Sequence, residues 1–221
     1  QRASALFCNS CAEIRYREYN MKILLLISAV CVLTNAEITN FVWKNCAPAG
    51  TNVKLRFNSL SASPMPVLVP GPLTLSINAS VLQEMDVFFL KFDISKHTSF
   101  AGAIQIPCVS DVGSCTLDGC TLLPTIAQGG HAVDKSLGVQ IMSRLKEALG
   151  HDAGCPIHVE NILVQNKTLH VPEMGTIAST IGEGDFTIKV TSLDTVTGEI
   201  FGCLQFDVTI KNKPNAGFLF G

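Results

Sequence analysis

No Gly-x-Ser-x-Gly elbow, His-Glu-x-x-His pair, P-loop or Gly-x-Gly-x-x-Gly turn occurs anywhere in the 221 residues. The usual settings for an activated serine, a zinc-bound water, a cradled triphosphate and a bound dinucleotide are therefore missing. What remains for catalysis is scattered groups such as His158 and Glu160. Isolated histidines in strands are usually surface or hydrogen-bonded core residues, so no catalytic residue is assigned. Basic stripes are missing too. With 16 Lys and Arg against 18 Asp and Glu, no concentration of positive charge exists to neutralise phosphates, which argues against nucleic acid as a partner. The most apolar block, Ile23 to Leu33, covers 11 residues, well short of the ~20 that span a bilayer. Tryptophan occurs once, as Trp43, and reads as a packed anchor of the core rather than a ligand stacker.

That apolar block follows Met21-Lys22 and precedes Thr34-Asn35-Ala36. One basic residue, a short apolar core and small residues at its end read as a secretory signal, residues 21–36, cleaved after Ala36. Residues 1–20 read as an upstream, untranslated leader, and their Cys8-Asn-Ser-Cys11 spacing has no strand-helix context to support a redox role. Residues 37–221 then make one domain. It keeps six of the nine cysteines, Cys46, Cys108, Cys115, Cys120, Cys155 and Cys203. An even number in a secreted chain implies three disulfides, with 15 connectivities open. No Cys-x2-Cys pair remains among them, so neither a metal nor a cofactor is expected. The same stretch carries 12 Lys and Arg against 16 Asp and Glu, net −4. Protonating its five histidines, His97, His131, His151, His158 and His170, would bring it to +1, which favours anionic membranes only in an acid compartment.

Periodicity along the domain is mostly that of strands. Val53, Leu55 and Phe57 alternate with Lys54, Arg56 and Asn58, and after a Ser/Pro-rich turn at 61–66 Leu73, Leu75 and Ile77 alternate with Thr74, Ser76 and Asn78. Val87 to Ile94, including Phe88, Leu90 and Phe92, is nearly continuous apolar sequence with Lys91 and Asp93 interleaved. Ile104 and Ile106 lead into Pro107, which cannot donate to a sheet, and a six-residue loop between Cys108 and Cys115 follows. Cys155 to Leu163 and Lys167 to Val171 read as extended. Phe186, Ile188 and Val190, then Leu204, Phe206, Val208 and Ile210, mark the last strands. The exception is Leu137, Ile141, Met142, Leu145, Ala148 and Leu149, whose helical spacing has Asp134 as N-cap and Gly150 as stop. Its apolar face reads first as packing on the sheet and second as a lid. Asn78-Ala-Ser80 and Asn166-Lys-Thr168 are glycosylation sequons, the first on the wet face of its strand and the second near a turn. Neither an internal repeat nor a dividing linker is visible, and the pattern predicts an all-β, antiparallel two-sheet fold with one short helix.

Four stretches carry a family resemblance. Asn40-Phe-Val-Trp-Lys-Asn-Cys46, Val69-Pro-Gly-x-x-Thr-Leu-Ser76, Ile106-Pro-Cys108 with its six-residue loop to Gly-Ser-Cys115, and Gly202-Cys203 resemble the ganglioside-activator branch of the ML (MD-2-related lipid-recognition) domains. The resemblance implies an immunoglobulin-like sandwich opened into a cup around an apolar cavity. It also implies the pairing Cys46–Cys203, Cys108–Cys115 and Cys120–Cys155. By it the chain is a non-catalytic carrier, secreted or lysosomal, that lifts a glycosphingolipid or related lipid from a membrane and exposes its headgroup to a lysosomal glycosidase such as a hexosaminidase. Phospholipid and sterol are the other lipids in view. A sterol carrier of the same family and a filled, ligand-free secreted module are the alternatives. Cavity candidates, taken from strand faces, are Leu55 and Phe57, Leu75 and Ile77, Phe88, Leu90 and Phe92, Phe186 and Ile188, and Leu204, Phe206 and Val208. Which strand faces are lumen is left open. The branch's fourth disulfide has no counterpart here, and Ala103 stands where it has a rim tryptophan. Phe100, Met174, Ile177 and Ile181 are the apolar residues left for transient membrane contact.

Overall fold

The computed structural model describes residues 40–130, 134–173 and 182–213. Within these residues ten strands and two helices follow one another as β1 (Val42–Asn45), β2 (Leu55–Ser63), β3 (Val67–Val69), β4 (Gly71–Val81), β5 (Phe88–Thr98), β6 (Gly102–Gln105), β7 (Thr116–Asp118), α1 (Gly119–Ala127), α2 (Lys135–Leu149), β8 (Asn161–Val171), β9 (Gly184–Asp194) and β10 (Ile200–Asn212). They form two sheets. The larger runs β1-β10-β9-β5-β6, with β3 also on β10 and β7 also on β5, and the smaller is β2-β4-β8. All pairs are antiparallel except β3 on β10.

The chain changes sheet between β3 and β4, where Pro70 ends one ladder and Gly71 opens the other. A Cβ on Gly71 would stand 2.6 Å from the Leu68 carbonyl oxygen, so only glycine permits this corner. In β4 the alternation then sorts the faces. Leu73, Leu75, Ile77, Ala79 and Val81 point toward the other sheet, and Thr74, Ser76, Asn78 and Ser80 point away.

The two sheets are packed together at two places. At one end Val67, Val69, Phe186 and Val208 are buried, with Leu73 and Val171 of the small sheet against them. At the other, Val81, Met85, Phe88 and Phe201 are buried, joined by Leu55, Ile162 and the Cys120 and Cys155 side chains. Disulfides tie Cys46 to Cys203, Cys108 to Cys115 and Cys120 to Cys155. Cys46–Cys203 closes a long stretch of chain but fastens neighbouring strands of one sheet, since the Cys46 N–H already donates to the Cys203 carbonyl at 3.0 Å. Cys120–Cys155 is the bond that leads from the large-sheet side, at the start of α1, to the segment before β8 in the small sheet.

Among the described residues two helices, not one, interrupt the strands. For α2 the Asp134 carboxylate caps the first turn by accepting from the Ser136 N–H, and Gly150, at φ 80°, ends the helix. The helix missing from the sequence reading is α1. Its cap is Asp118, which accepts from the N–H groups of Cys120 and Thr121, but Pro124 in its interior reads as a breaker. The helix is closely packed all the same: a Cβ on Gly119 would fall 2.1 Å from the Phe88 ring, and one on Gly138 of α2 1.9 Å from the Ile126 carbonyl oxygen of α1. A second correction concerns β8. The segment read as extended from Cys155 becomes strand only at Asn161, from which one strand runs through to Val171, and Asn166, placed near a turn from its sequence, is a bulge within it at φ 47°.

Candidate functional site

Cross-strand register assembles an apolar surface on each inner face. In the large sheet Leu204, Val190 and Phe92 lie in one row, Phe206, Ile188 and Ile94 in the next, and Val208 and Phe186 in a third beside Lys96. The facing rows of the small sheet are Phe57–Ala79–Ile162, Leu60–Ile77–Val164 and Ala62–Leu75–Lys167. These faces are apolar because each strand alternates, and they face one another because both ends are pinned by the buried clusters.

The twelve cavity candidates divide by position. Phe186, Ile188, Phe206 and Val208 belong to the first packed end, and Leu55, Phe88 and Leu90 to the second. Phe57, Leu75, Ile77, Phe92 and Leu204 lie between, in neither cluster among the described residues. Of these five only Leu204 is buried; the other four are half-buried although they point inward. Leu60 and Val190, which are not among the cavity candidates, share this middle zone and are also half-buried.

Helix α2 forms one side of the zone. Ile141 and Leu145, an i,i+4 pair on its apolar face, meet Leu75, Ile77, Val164 and Leu169 around an apolar pocket of about 70 Å³ that Arg144 and Lys167 also line. Sequence reasoning assigned this helix face to packing, and Val164 and Leu169 to no role; their signal was the spacing itself. Beside the pocket Glu147 bridges Arg144 and Lys167. Lys167, and secondarily Arg144, hold the Glu147 carboxyl below the usual glutamate range.

The remaining candidates sit apart from this zone. Phe100 is fully exposed at the turn between β5 and β6, whereas Met174, Ile177 and Ile181 lie outside the described residues. His158 pairs with Glu84 at 2.8 Å while Glu160 pairs with His151 at 3.1 Å, so the scattered catalytic candidates His158 and Glu160 each have another partner. His97, His151, His158 and His170 are exposed, and His131 lies outside the described residues. Among the described residues no cluster of His, Cys, Asp and Glu has the makings of a metal site. No described helix is long and apolar enough to cross a membrane.

Comparison with known proteins adds three findings. The family model described as "ML domain" matches residues 40–210. The ganglioside GM2 activator of Macaca fascicularis is 26% identical over 191 residues, spanning 85% of this chain and 92% of that protein. The crystal structure of a Niemann-Pick type C2 protein from Japanese carpenter ant overlays with a TM-score of 0.37 at 13% identity, covering 77% of this chain and 99% of that one.

Proposed function

Because this chain belongs to the ML-domain family, a family of lipid-binding proteins, we propose that it is a non-catalytic carrier that takes the acyl chains of a glycosphingolipid between its two sheets and leaves the headgroup outside for a hydrolase. The observation that carries this reading is the half-buried middle zone. Phe57, Leu75, Ile77 and Phe92 point at the opposite sheet yet are only half-buried, between two ends that each hold a buried cluster, Val67, Val69, Phe186 and Val208 at one and Val81, Met85, Phe88 and Phe201 at the other. A filled sandwich would bury its middle most.

Moving a lipid chain of about fifteen methylenes into water costs on the order of 12 kcal/mol. In this reading the apolar inner faces of the two sheets, with α2 beside the small one, replace much of the contact that the chains lose on leaving a bilayer. Phe100 at the β5–β6 turn, with Met174, Ile177 and Ile181, is assigned to transient membrane contact, and a secreted or lysosomal setting follows from the signal-like residues 21–36. The relative named as a ganglioside GM2 activator supports a ganglioside-type ligand, and a hexosaminidase-type partner is the one that the sequence resemblance implies.

Native mass spectrometry of the secreted protein, before and after incubation with glycosphingolipid vesicles, tests the carrier. A stoichiometric lipid adduct is expected, and a bare mass under both conditions would defeat the proposal. Adding the loaded protein to a hexosaminidase with membrane-embedded ganglioside tests the presentation step. Turnover should rise, with none when the hydrolase is omitted.

A further inference from the structure

The outer face of the three-stranded sheet is built from hydroxyls and side-chain amides. Thr74 and Thr168 share a hydrogen bond at 2.9 Å, Asn58 donates to Ser80 at 2.9 Å, and Ser80 donates to Asn161 at 2.8 Å. Both glycosylation sequons lie in this lattice, Asn78 at the middle of β4 and Asn166 at the bulge of β8.

Their two amides are held in the same way. The Asn78 side-chain oxygen accepts from Asn58 Nδ2 at 3.0 Å, and the Asn166 side-chain oxygen accepts from the Ser76 hydroxyl at 3.1 Å. In each case this bond engages the side-chain oxygen and not Nδ2, the atom an oligosaccharide is joined to. The lattice also places the two sites side by side. Ser76, which grips Asn166, is two residues from Asn78, about 7 Å along the strand, although Ser76 and Asn166 are 90 residues apart in the chain. Between them lies a groove of about 320 Å³ bordered by Ser59, Ser76, Asn78, Leu163 and Asn166. Leu163, paired with Asn78 in the β4–β8 register, is a large apolar side chain left 49% exposed on an otherwise polar face.

The geometry points to Asn78 and Asn166 as a pair of N-glycan attachment sites whose first sugars lie together over Leu163. In each attachment the Asn Nδ2 attacks the anomeric carbon of a lipid-pyrophosphate-linked oligosaccharide. The new C–N bond replaces the sugar–phosphate C–O bond, the lipid pyrophosphate leaves with the bonding electrons, and the amide gives up one proton. At 88 residues' separation the two sequons reach the transferring enzyme independently and become neighbours only when the sheet folds. The glycans then cover the outer face of β2-β4-β8, which leaves lipid exchange and any hydrolase contact to other surfaces.

The test is site mapping on the wild-type chain, expressed with residues 21–36 in a secreting eukaryotic host. Amidase deglycosylation in heavy-oxygen water should convert both Asn78 and Asn166 to labelled Asp, with an intact-mass loss of two glycans. Asn78→Gln and Asn166→Gln should each lose one glycan and no more. Secreted protein with either asparagine unlabelled, or with no mass loss on amidase treatment, overturns the assignment.

Discussion

Gln140 grips His170 by both of its backbone groups: the side-chain amide donates to the His170 carbonyl at 3.1 Å and accepts its N–H at 2.7 Å. An amide on α2 thus takes the place of a further strand at the free edge of β8. The opposite edge of the same sheet is treated alike, since Asn45 of β1 donates to the Phe57 carbonyl at 2.8 Å and accepts its N–H at 3.3 Å. Both flanks of a three-stranded sheet, otherwise open to pairing with another chain, are closed by side chains. The same two contacts bring α2 and β1 against the sides of the middle zone.

Removing either clasp should loosen one side of that zone at modest cost. Gln140→Ala and Asn45→Ala are each expected to lower unfolding stability by about 1 kcal/mol, the net worth of such hydrogen bonds. Acting on opposite edges, their losses should add in the double variant. Urea titration of the three variants measures this, and one large loss with one null result would contradict the equivalence of the two edges.

The disulfides should rank by the chain they close. In the chain-entropy model, with separations of 157, 35 and 7 residues, removal costs roughly 5, 4 and 2.5 kcal/mol for Cys46–Cys203, Cys120–Cys155 and Cys108–Cys115. Paired Cys→Ala variants compared in urea check the order. Only the Cys120–Cys155 loss is expected to speed lipid release as well, because that bond links the large-sheet side to the segment leading into β8.

Acid should leave the attachment of α2 intact. The Asp152 carbonyl, and next Glu160, hold the His151 imidazolium and raise its pKa above the ordinary 6.5, while Lys167 and Arg144 hold Glu147 below 4.5. The His151 contribution is complete below pH 6.5 and is lost as pH rises through the raised folded value. The Glu147 contribution is complete above pH 4.5 and is lost as pH falls through the depressed one. Near pH 5 both are present, and Lys146–Asp152, at 2.9 Å, adds a further charge pair beside them. Glu160→Gln should therefore cost more stability at pH 5 than at pH 8 and lower the NMR titration midpoint of His151. Equal loss at both pH values would refute this account.

Enlarging side chains distinguishes space from packing. Ile77→Phe, in the half-buried zone, is expected to change stability by less than about 1 kcal/mol while reducing lipid uptake. Val208→Phe, in the buried end cluster, should cost about 1–3 kcal/mol by overpacking. Thermal unfolding and a fluorescent-lipid uptake assay read the two effects separately.

Phe100 is fully exposed, so Phe100→Ser should stay within about 0.5 kcal/mol of the parent. Its effect is expected in vesicle flotation, as weaker binding, because the aromatic ring is the group assigned to the membrane.

Local rules made several elements readable. Asp134 and Gly150 bracket α2 because capping and a left-handed stop are properties of adjacent residues. Alternation in β4, β9 and β10 was visible for the same reason, and so was the two-sheet class. By contrast, α1 was hidden because Pro124 reads as a breaker, while the close approaches that pack it, of Gly119 to Phe88 and of Gly138 to Ile126, join residues distant in the chain. The bulge at Asn166 was hidden because it exists only relative to Ser76 and Ile77 on the neighbouring strand.

By itself the sequence determined which residues alternate, where one helix begins and ends, and that six cysteines follow residue 36, all consequences of short-range spacing. Only the tertiary structure decided which alternating face became interior, that Ile141 and Leu145 would complete its side, and that Asn78 and Asn166 would become neighbours. The physical reason is that facing is a relation between two surfaces: periodicity marks a strand's apolar side, but only the opposing sheet, brought up from distant sequence, makes that side an inside.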